Sequence, residues 1–225
     1  MLQPVQFSSS DSRLELDGDA NVSMGVLLRR LIDEGCVSDP ESPKGRLLAA
    51  AARQFRQKGF SRTTVRDLAA EVGILSGSIF HHFKNKDEIL FAVMNEVVIA
   101  MEERLQVRLS AATSTRDKVR ALIENELQFI HGPTGDATAV LIYEWRALSE
   151  PLQQKILERR RAYFKLWHDT LIKAEEEALI TVEPDCLRQL LHGAIVWSIH
   201  WYQPQGPMPL ESLVDQVLSL AIKSE

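Results

Sequence analysis

Helix start signals recur throughout the chain after Pro43, and they constrain the fold more than any other feature. Proline stands where a first helical turn would begin at Pro43, Pro151, Pro184 and Pro209, because its missing N–H costs nothing there. Apart from residues 179–182, no stretch alternates apolar and polar residues for long enough to indicate a strand. The pattern predicts an all-α protein with nine helices, at 44–59, 64–72, 76–82, 86–111, 115–131, 135–148, 151–179, 184–202 and 209–223.

The distribution of charge divides the chain. Its 225 residues are 45% hydrophobic, which suffices for the core of one or two domains. The net charge is -5, yet residues 44–90 hold nine Lys and Arg against four Asp and Glu. Such asymmetry predicts a module that meets a polyanion. We therefore expect an N-terminal extension over 1–43, a module over 44–90 that meets a polyanion, and a second helical domain over 91–225.

The N-terminal extension has its own composition, with Ser, Asp and Gly clusters and three Arg against eight acids. This composition predicts that residues 1–43 are largely disordered. Only residues 24–34 show apolar side chains at helical spacing, which predicts a short helix. Two interpretations stay open. The extension is either a dispensable leader, with translation starting at Met24, or an arm that docks on its own protein or on DNA.

The remaining global signals concern location and reaction class. The sequence contains only two cysteines, Cys36 and Cys186, which are far apart. It shows neither a signal-peptide pattern nor a long apolar run. These features predict a soluble, cytoplasmic protein without a membrane partner. The chain lacks G-x-S-x-G, P-loop, G-x-G-x-x-G and H-E-x-x-H motifs. We therefore expect neither an enzyme nor a cofactor, and a module that acts through protein partners is the third class considered.

Residues 44–83 carry the pattern of a helix-turn-helix. Thr64 and Asp67 have the spacing of a capping box at the start of one helix, and Gly73 ends that helix. The helix that follows is too short to be stable alone. Two short helices joined by a glycine turn place the N-terminal residues of the second at base edges in the major groove.

The segment TTVRDLAAEVGILSGSIFHHFKNKDEIL, residues 63–90, resembles the N-terminal domain of the TetR family of transcriptional regulators. The matching positions are Thr64, Gly73, Ser76, Gly77, Phe80, His81, Phe83 and Lys86. The resemblance implies a TetR-like architecture, in which a helical ligand-binding and dimerisation domain follows the helix-turn-helix. Leu75 replaces the usual Ser or Thr cap, and Phe80 replaces a frequent tyrosine, so the operator contacts should differ in detail.

The resemblance also implies which residues touch DNA. Small side chains at 76–78 let the helix approach the groove, and Phe80 offers an apolar contact, for example to a thymine methyl. His81 should face DNA while His82 packs near Phe83. The predicted DNA-binding residues are Arg62, Thr63, Thr64, Ser76, Gly77, Ser78, Phe80, His81 and Lys86. Adjacent helical histidines point about 100° apart, so we expect no metal site.

Aromatic and polar residues interleave in the C-terminal part. Such a pattern fits a plain core, but buried polar groups also fit a cavity with a ligand. The resemblance implies an effector pocket between the helices at 115–131 and 184–202. The predicted ligand-binding residues are Phe129, Trp145, Phe164, Trp167, Trp197, His200 and Trp201. Residues 193–213 resemble TetR-like repressors of lipid and acyl-CoA catabolism, which implies an acyl-CoA or other lipid-derived effector. An aromatic drug or another metabolite is the alternative.

The last two predicted helices each keep an apolar stripe. In the TetR family these helices pair across a two-fold axis, which implies a homodimer through 184–202 and 209–223; intramolecular packing is the alternative. Such a dimer would present two recognition helices about one DNA turn (~34 Å) apart to a palindromic double-stranded operator. The expected function is a repressor released from this operator by a small hydrophobic or amphiphilic effector. The alternatives are an activator, or a regulator that acts through a protein partner.

Overall fold

The computed structural model describes residues 24–223, and within that range the protein is all-α without a strand. The α-helices are α1 (Met24–Asp33), α2 (Pro43–Lys58), α3 (Val65–Val72), α4 (Ser76–Ile79), α5 (Lys86–Ala111), α6 (Thr115–His131), α7 (Gly135–Tyr143), α8 (Glu150–Glu176), α9 (Pro184–Trp197) and α10 (Leu210–Ala221). Short 3-10 turns follow α7 and α9, at Trp145–Ala147 and Ser198–His200. The predicted all-α architecture is confirmed. Of the extension at 1–43, which was predicted to be largely disordered, residues 1–23 lie outside this range.

The first compact unit consists of α2, α3, α4 and the start of α5. Ser42 caps α2 by accepting a hydrogen bond from the Gly45 backbone at 3.0 Å, and Gly59 ends α2 with a φ of +83°. On the inward face of α2, Leu47 and Phe55 are fully buried. They belong to the same core as Leu68 of α3 and Ile79 of α4. Burial of these apolar side chains holds the short α3 and α4 in place, since neither is stable alone.

The larger part of the molecule is a helical bundle around α6. The two longest helices, α5 and α8, pack against each other and against α6. Helix α7 rests on α2 and α5, while α10 lies along α6 and α9. One continuous apolar core joins this bundle to the first unit. Within 24–223, none of the helices combines the length and apolar character that a bilayer-spanning segment needs.

Helix α1 lies on the outside of α5. Its Leu27 and Leu31 are buried in a small cluster with Ile99 of α5. An ion pair of 2.5 Å joins Arg30 to Glu103, which also belongs to α5. The described part of the N-terminal extension is therefore docked on its own protein.

Candidate DNA-binding surface and effector cavity

A capping box fixes the start of α3. The Thr64 hydroxyl accepts a hydrogen bond from the Asp67 backbone at 3.1 Å, and the Asp67 carboxylate accepts one from the Thr64 backbone at 2.8 Å. The bonds from the Thr64 backbone and hydroxyl lower the pKa of Asp67. Gly73 ends α3 in the left-handed region, with a φ of +72°, which favours glycine. The predicted capping box and glycine turn are both present, and they set the direction in which α4 leaves α3.

Helix α4 presents an open surface. Leu75 precedes it without a side-chain cap and is 81% exposed. Phe80 and His81 are exposed at its other end, and Gly77 is exposed in the middle. A Cβ atom added to Gly77 would meet nothing within 4 Å, so the protein's own packing does not require a glycine there. Ser76 and Ser78, at the edge of this face, are half-buried.

The end of α4 differs from the prediction. The helix stops at Ile79 instead of 82, and the chain continues in turns. Only Phe83 points inward, where it is 6% exposed. His82, which was expected to pack near Phe83, is exposed, with its ring centroid 6.5 Å from the Phe83 ring. Because α4 is only one turn long, the residues after it no longer follow helical spacing.

Two of the predicted phosphate contacts have partners inside the protein. The Lys86 ammonium donates to the carbonyl oxygens of Phe60 and Thr63, both at 2.7 Å, and lies 4.1 Å from the Phe60 ring centroid. Burial lowers the pKa of Lys86. Thr63 is fully buried, and its hydroxyl donates to the Gly59 carbonyl at 3.0 Å. These contacts fasten the loop after α2 to the start of α5.

Arg62 and Thr64 stand at the rim of the same surface. Arg62 is exposed, and its Nε atom donates to the Lys58 carbonyl at 2.6 Å, which holds the side chain against the end of α2. Thr64 is exposed as well, although its hydroxyl already takes part in the capping box. Both side chains are therefore exposed, although each already has a hydrogen-bond partner within the protein.

A cavity of about 40 Å³ lies inside the bundle between α5, α6, α7, α8 and α9. Most of its wall is apolar and comes from Val98, Met101, Ile130, Leu141, Ile142 and Val196. Its other end is polar, with Glu126, Arg160, Tyr163 and His192. An apolar pocket with a few convergent polar groups is the usual form of a small-molecule site.

The polar end of the cavity adjoins a surface groove between α8 and α9. Arg160, Phe164 and His192 line both spaces, so they form the boundary between them. The groove has a volume of about 520 Å³ and is rich in cationic side chains: Arg160, Arg161, Lys165 and Arg188. Asp185 is the acid that lines it, and it pairs with His168 at 3.1 Å and with Arg188 at 3.8 Å.

A buried charge pair marks the polar end. Glu126 is 2% exposed, and one of its oxygens, Oε2, lies 2.8 Å from Nδ1 of His192. Burial alone would lower the pKa of His192, but the charge and hydrogen bond of Glu126 outweigh burial and raise that pKa. The other oxygen, Oε1, is buried without a hydrogen-bond partner among residues 24–223.

A second layer of polar side chains holds Tyr163 against this pair. Asn125 is fully buried and donates to the Tyr163 hydroxyl at 3.3 Å and to the Met101 carbonyl at 3.1 Å. It accepts in turn from Arg104 at 3.0 Å. Burial, and then the charge of Arg108, lower the pKa of Arg104 to about 10. Burial first, and then the charge of Glu126, raise the pKa of Tyr163 well above its ordinary value.

The predicted ligand-binding residues fall into three groups. Phe164 lines the cavity and the groove, and half-buried Trp145 lies nearby, its ring 5.9 Å from the Arg160 guanidinium. Phe129 and Trp167 are fully buried in the core and line no part of the cavity.

The third group, Trp197, His200 and Trp201, lies outside the cavity on an exposed surface, with Trp197 64% exposed. His200 hydrogen-bonds with the Tyr143 hydroxyl at 3.0 Å. The physical reason is local. Trp197 lies on the exposed face of α9 with Leu190 and Ala194, and His200 and Trp201 stay exposed where the chain turns after α9.

Four residues of the polar end were not among those predicted to bind the ligand: Glu126, Arg160, Tyr163 and His192. The sequence held a signal for Glu126. It stands four residues after Leu122 and four before Ile130, so it shares the face of α6 that these apolar residues bury. A lone carboxylate on such a face requires a buried partner.

A helix-turn-helix with an open recognition helix, joined by one long helix to a bundle with an internal cavity, defines a ligand-responsive transcriptional regulator. Comparison with known proteins agrees. Residues 47–93 match the family model "Bacterial regulatory proteins, tetR family", and residues 112–224 match "Tetracyclin repressor-like, C-terminal domain". The chain belongs to the TetR family. This family consists of regulators, which confirms the prediction that the protein is not an enzyme.

Individual relatives extend the comparison. The HTH-type transcriptional repressor KstR2 of Mycolicibacterium smegmatis is 33% identical over 192 residues, which is 82% of this chain and 91% of that protein. The crystal structure of a protein described as the superantigen pfit is 43% identical, with a TM-score of 0.78, covering 90% of this chain and all of the other. AibR, solved with isovaleryl coenzyme A and operator DNA, shares the fold at 22% identity, with a TM-score of 0.73 and coverage of 80% and 98%.

Proposed function

We propose that an acyl-CoA thioester is the effector that releases this TetR-family repressor from its operator. The observation that carries the proposal is that the apolar cavity adjoins the cationic groove, with Arg160, Phe164 and His192 lining both. An acyl-CoA has the matching shape, since a short apolar chain is joined to a long polyanionic carrier. AibR, with which the chain shares its fold, was solved with an acyl-CoA of this kind.

The groove supplies the groups that phosphates require. Arginine binds phosphate oxygens through parallel N–H bonds, and lysine does so as a point charge. Arg160 and Arg188 lie 5.8 Å and 5.0 Å from the Phe164 ring on α8, so two guanidinium groups surround the entrance to the cavity. Arg161 and Lys165 extend the positive surface along α8. A free fatty acid would offer a single carboxylate to these cations, of which Arg188 and Lys165 already pair with Asp185 and Asp169.

The volume of the cavity limits the size of the acyl group. At about 40 Å³ it holds only a small group without movement of its walls. Met101 on α5 is part of that wall, and methionine is the side chain that repacks most easily. A longer acyl chain would have to move these walls, and α5, whose first residue is Lys86, carries two of the wall residues, Val98 and Met101. An effector that binds the displaced arrangement better than the original one lowers the population that binds DNA.

DNA binding is proposed through the unit at 44–90. The exposed face of α4 would enter the major groove, with Gly77 allowing close approach and Phe80 and His81 near base edges. Ser76 and Ser78 lie on the same helix. Arg62 and Thr64 would contact phosphates, whereas Thr63 and Lys86 act mainly by fixing the loop that carries those two residues.

A homodimer is proposed through α9 and α10 of the effector domain at 91–225. Leu190, Gly193, Ala194 and Trp197 have the spacing of one helical face, and all four are exposed. Leu220 of α10 is 78% exposed. Exposed apolar surface of this kind marks an interface, and a two-fold pairing of these helices would present two copies of α4 to a palindromic operator.

The test is operator release by defined ligands. Operator DNA is first selected from random sequences, and its binding is then followed by fluorescence anisotropy with acyl-CoAs of increasing chain length, the corresponding free acids, and free CoA. Acyl-CoAs should release the DNA at concentrations at least tenfold below those of the acids or CoA. Equal release by the free acids, or none by any acyl-CoA, would overturn the proposal.

Removal of the positive charge at two neighbouring positions of α8 gives a test and its matched control. Arg161→Gln removes a groove cation and should weaken acyl-CoA binding by about tenfold, the effect of one charge-assisted contact. Arg159→Gln makes the same change one residue earlier, at an exposed site outside the groove, and should leave the affinity unchanged. A similar loss in both variants would indicate an unspecific charge effect.

A further inference from the structure

One oxygen of Glu126 lacks a partner at the polar end of the effector cavity. Oε2 is bound to His192 at 2.8 Å, while Oε1 is buried and meets no hydrogen-bonding group among residues 24–223. The side chain is 2% exposed and lines the cavity. Buried carboxylate oxygens are rarely left unpaired, because the unpaired state loses the hydration of a charge. The cavity therefore has an unpaired acceptor on one of the residues that line it.

A donor stands beside this acceptor. Tyr163 also lines the cavity, and its hydroxyl accepts a hydrogen bond from Asn125 at 3.3 Å, which leaves its own proton to be given. Besides burial, the charge of Glu126 and hydrogen bonding with it both contribute to the raised pKa of Tyr163, so the hydroxyl lies beside the carboxylate, but it does not come close enough to satisfy Oε1. Arg104 and Asn125 hold the tyrosine in this position. An alcohol can donate to the carboxylate and accept from the tyrosine at the same time.

The position along the ligand follows from His192. This residue lines both the cavity and the groove, and it binds Glu126 directly. The pair therefore stands where the apolar space meets the cationic space. If the proposed function is correct, the thioester of the effector lies at this boundary, and the group that reaches Glu126 belongs to the first carbons of the acyl chain.

We propose that the effector is a hydroxylated acyl thioester, and that Glu126 selects it by accepting a hydrogen bond from a hydroxyl group close to the thioester carbonyl. An effector without this hydroxyl would place its apolar acyl chain against the Glu126 carboxylate and leave Oε1 without a hydrogen bond. A site built to bond a hydroxyl discriminates strongly against the analogue that lacks it, because its polar groups are then left unpaired. This inference rests on the proposed function and narrows its ligand class.

The test uses pairs of ligands of equal chain length. Calorimetric titration of the full-length protein compares 3-hydroxyhexanoyl-CoA with hexanoyl-CoA. The hydroxylated ligand should bind about 10- to 100-fold more tightly, as expected for a hydrogen bond to a charged acceptor. Glu126→Gln keeps the shape but removes the charge, and it should reduce this preference to about threefold or less.

The matched control lies on the same helix. Glu124→Gln is the same substitution two residues earlier, at a carboxylate that pairs with Arg108 at 2.5 Å and does not line the cavity, so it should keep the full preference. Circular dichroism establishes that both variants fold, and the wild-type comparison needs no variant.

Three results would overturn the inference, and each has a different meaning. Equal affinity of the two ligands for the wild type removes the hydroxyl preference but leaves an acyl-CoA effector intact. A full preference that survives Glu126→Gln assigns the hydroxyl to another residue. Binding of neither ligand, with no release of operator DNA by any acyl-CoA, removes the proposed function and this inference together.

Discussion

Replacing Lys86 with methionine should lower the temperature at which the protein unfolds. The ammonium group holds the carbonyl oxygens of Phe60 and Thr63 at 2.7 Å each and lies 4.1 Å from the Phe60 ring. Methionine fills a similar volume but donates no hydrogen bond. The loop after α2 would then lose its attachment to the first turn of α5.

The expected magnitude follows from these contacts. Each hydrogen bond from a charged donor contributes about 1.5–3 kcal/mol, and the ring contact adds about 0.5–1 kcal/mol. Burial of the ammonium offsets part of this gain, as its lowered pKa indicates. A net loss of about 2–4 kcal/mol is therefore reasonable. At about 2–4 °C per kcal/mol for a chain of this size, Tm should fall by about 5–15 °C.

The assay combines thermal unfolding at one fixed protein concentration with operator binding at several salt concentrations. Lys84→Met is the control, because the Lys84 side chain is 88% exposed and its ammonium lies 4.0 Å from a carboxylate oxygen of Glu88. Such a pair contributes about 0–1 kcal/mol, so Tm should stay within about 2 °C. An unchanged Tm in Lys86→Met, with a salt slope reduced by about 0.9, would refute the structural role and make Lys86 a phosphate contact.

Three further substitutions test other parts of the molecule. Asn125→Leu should lower the free energy of unfolding by about 2–4 kcal/mol in urea denaturation, because Arg104 loses one of its two acceptors, with only Gln128 left, and the Met101 carbonyl loses its donor. His192→Gln should remove a pH-dependent contribution to the free energy of unfolding. The raised pKa of His192 means that its pairing with Glu126 stabilises the fold fully below about pH 6.5 and less as pH rises through the folded pKa; urea denaturation across this range measures it. Leu190→Glu should give a monomer in light scattering and weaken operator binding.

Each of these predictions has a clear contrary result. A loss below about 1 kcal/mol in Asn125→Leu would mean that water replaces the lost hydrogen bonds. For His192→Gln, a difference from the wild type that grows as pH rises would reverse the expected sign. Val182→Glu places the same charge on an exposed apolar residue outside α9 and α10. If it dissociated the protein as Leu190→Glu does, the proposed interface would be misplaced.

Signals confined to a few residues predicted much of the fold. The capping box of Thr64 and Asp67 and the left-handed glycine at Gly73 depend on neighbours within four residues, and the structure contains both. Helix spans followed from the same local patterns and from the spacing of apolar side chains. The short α4 was predicted three residues too long, since nothing local marks its end at Ile79.

The candidate site depended on contacts that no local pattern encodes. Glu126 and His192 are 66 residues apart, and they meet only because α6 and α9 pack together. The pattern of aromatic residues pointed to Trp197 and Trp201, yet aromatic spacing does not distinguish a cavity wall from an exposed face. Lys86 has the position of a phosphate contact in the family pattern, but its carbonyl partners depend on the path of the preceding loop.

Helix α5 connects the cavity to the DNA-binding unit, so a tilt at one end displaces the other. It bears the attachment of Lys86 at its first turn and the cavity residue Val98 about 18 Å further along, at ~1.5 Å per residue. A rigid tilt of about 5° at the cavity would move the Lys86 end by about 1.5 Å. In a two-fold dimer the opposite displacements would change the separation of the recognition helices by about 3 Å, several times the ~0.5 Å range of hydrogen-bond lengths. A small ligand inside the bundle would thus change the separation of the two recognition helices, so that it no longer matches one turn of DNA.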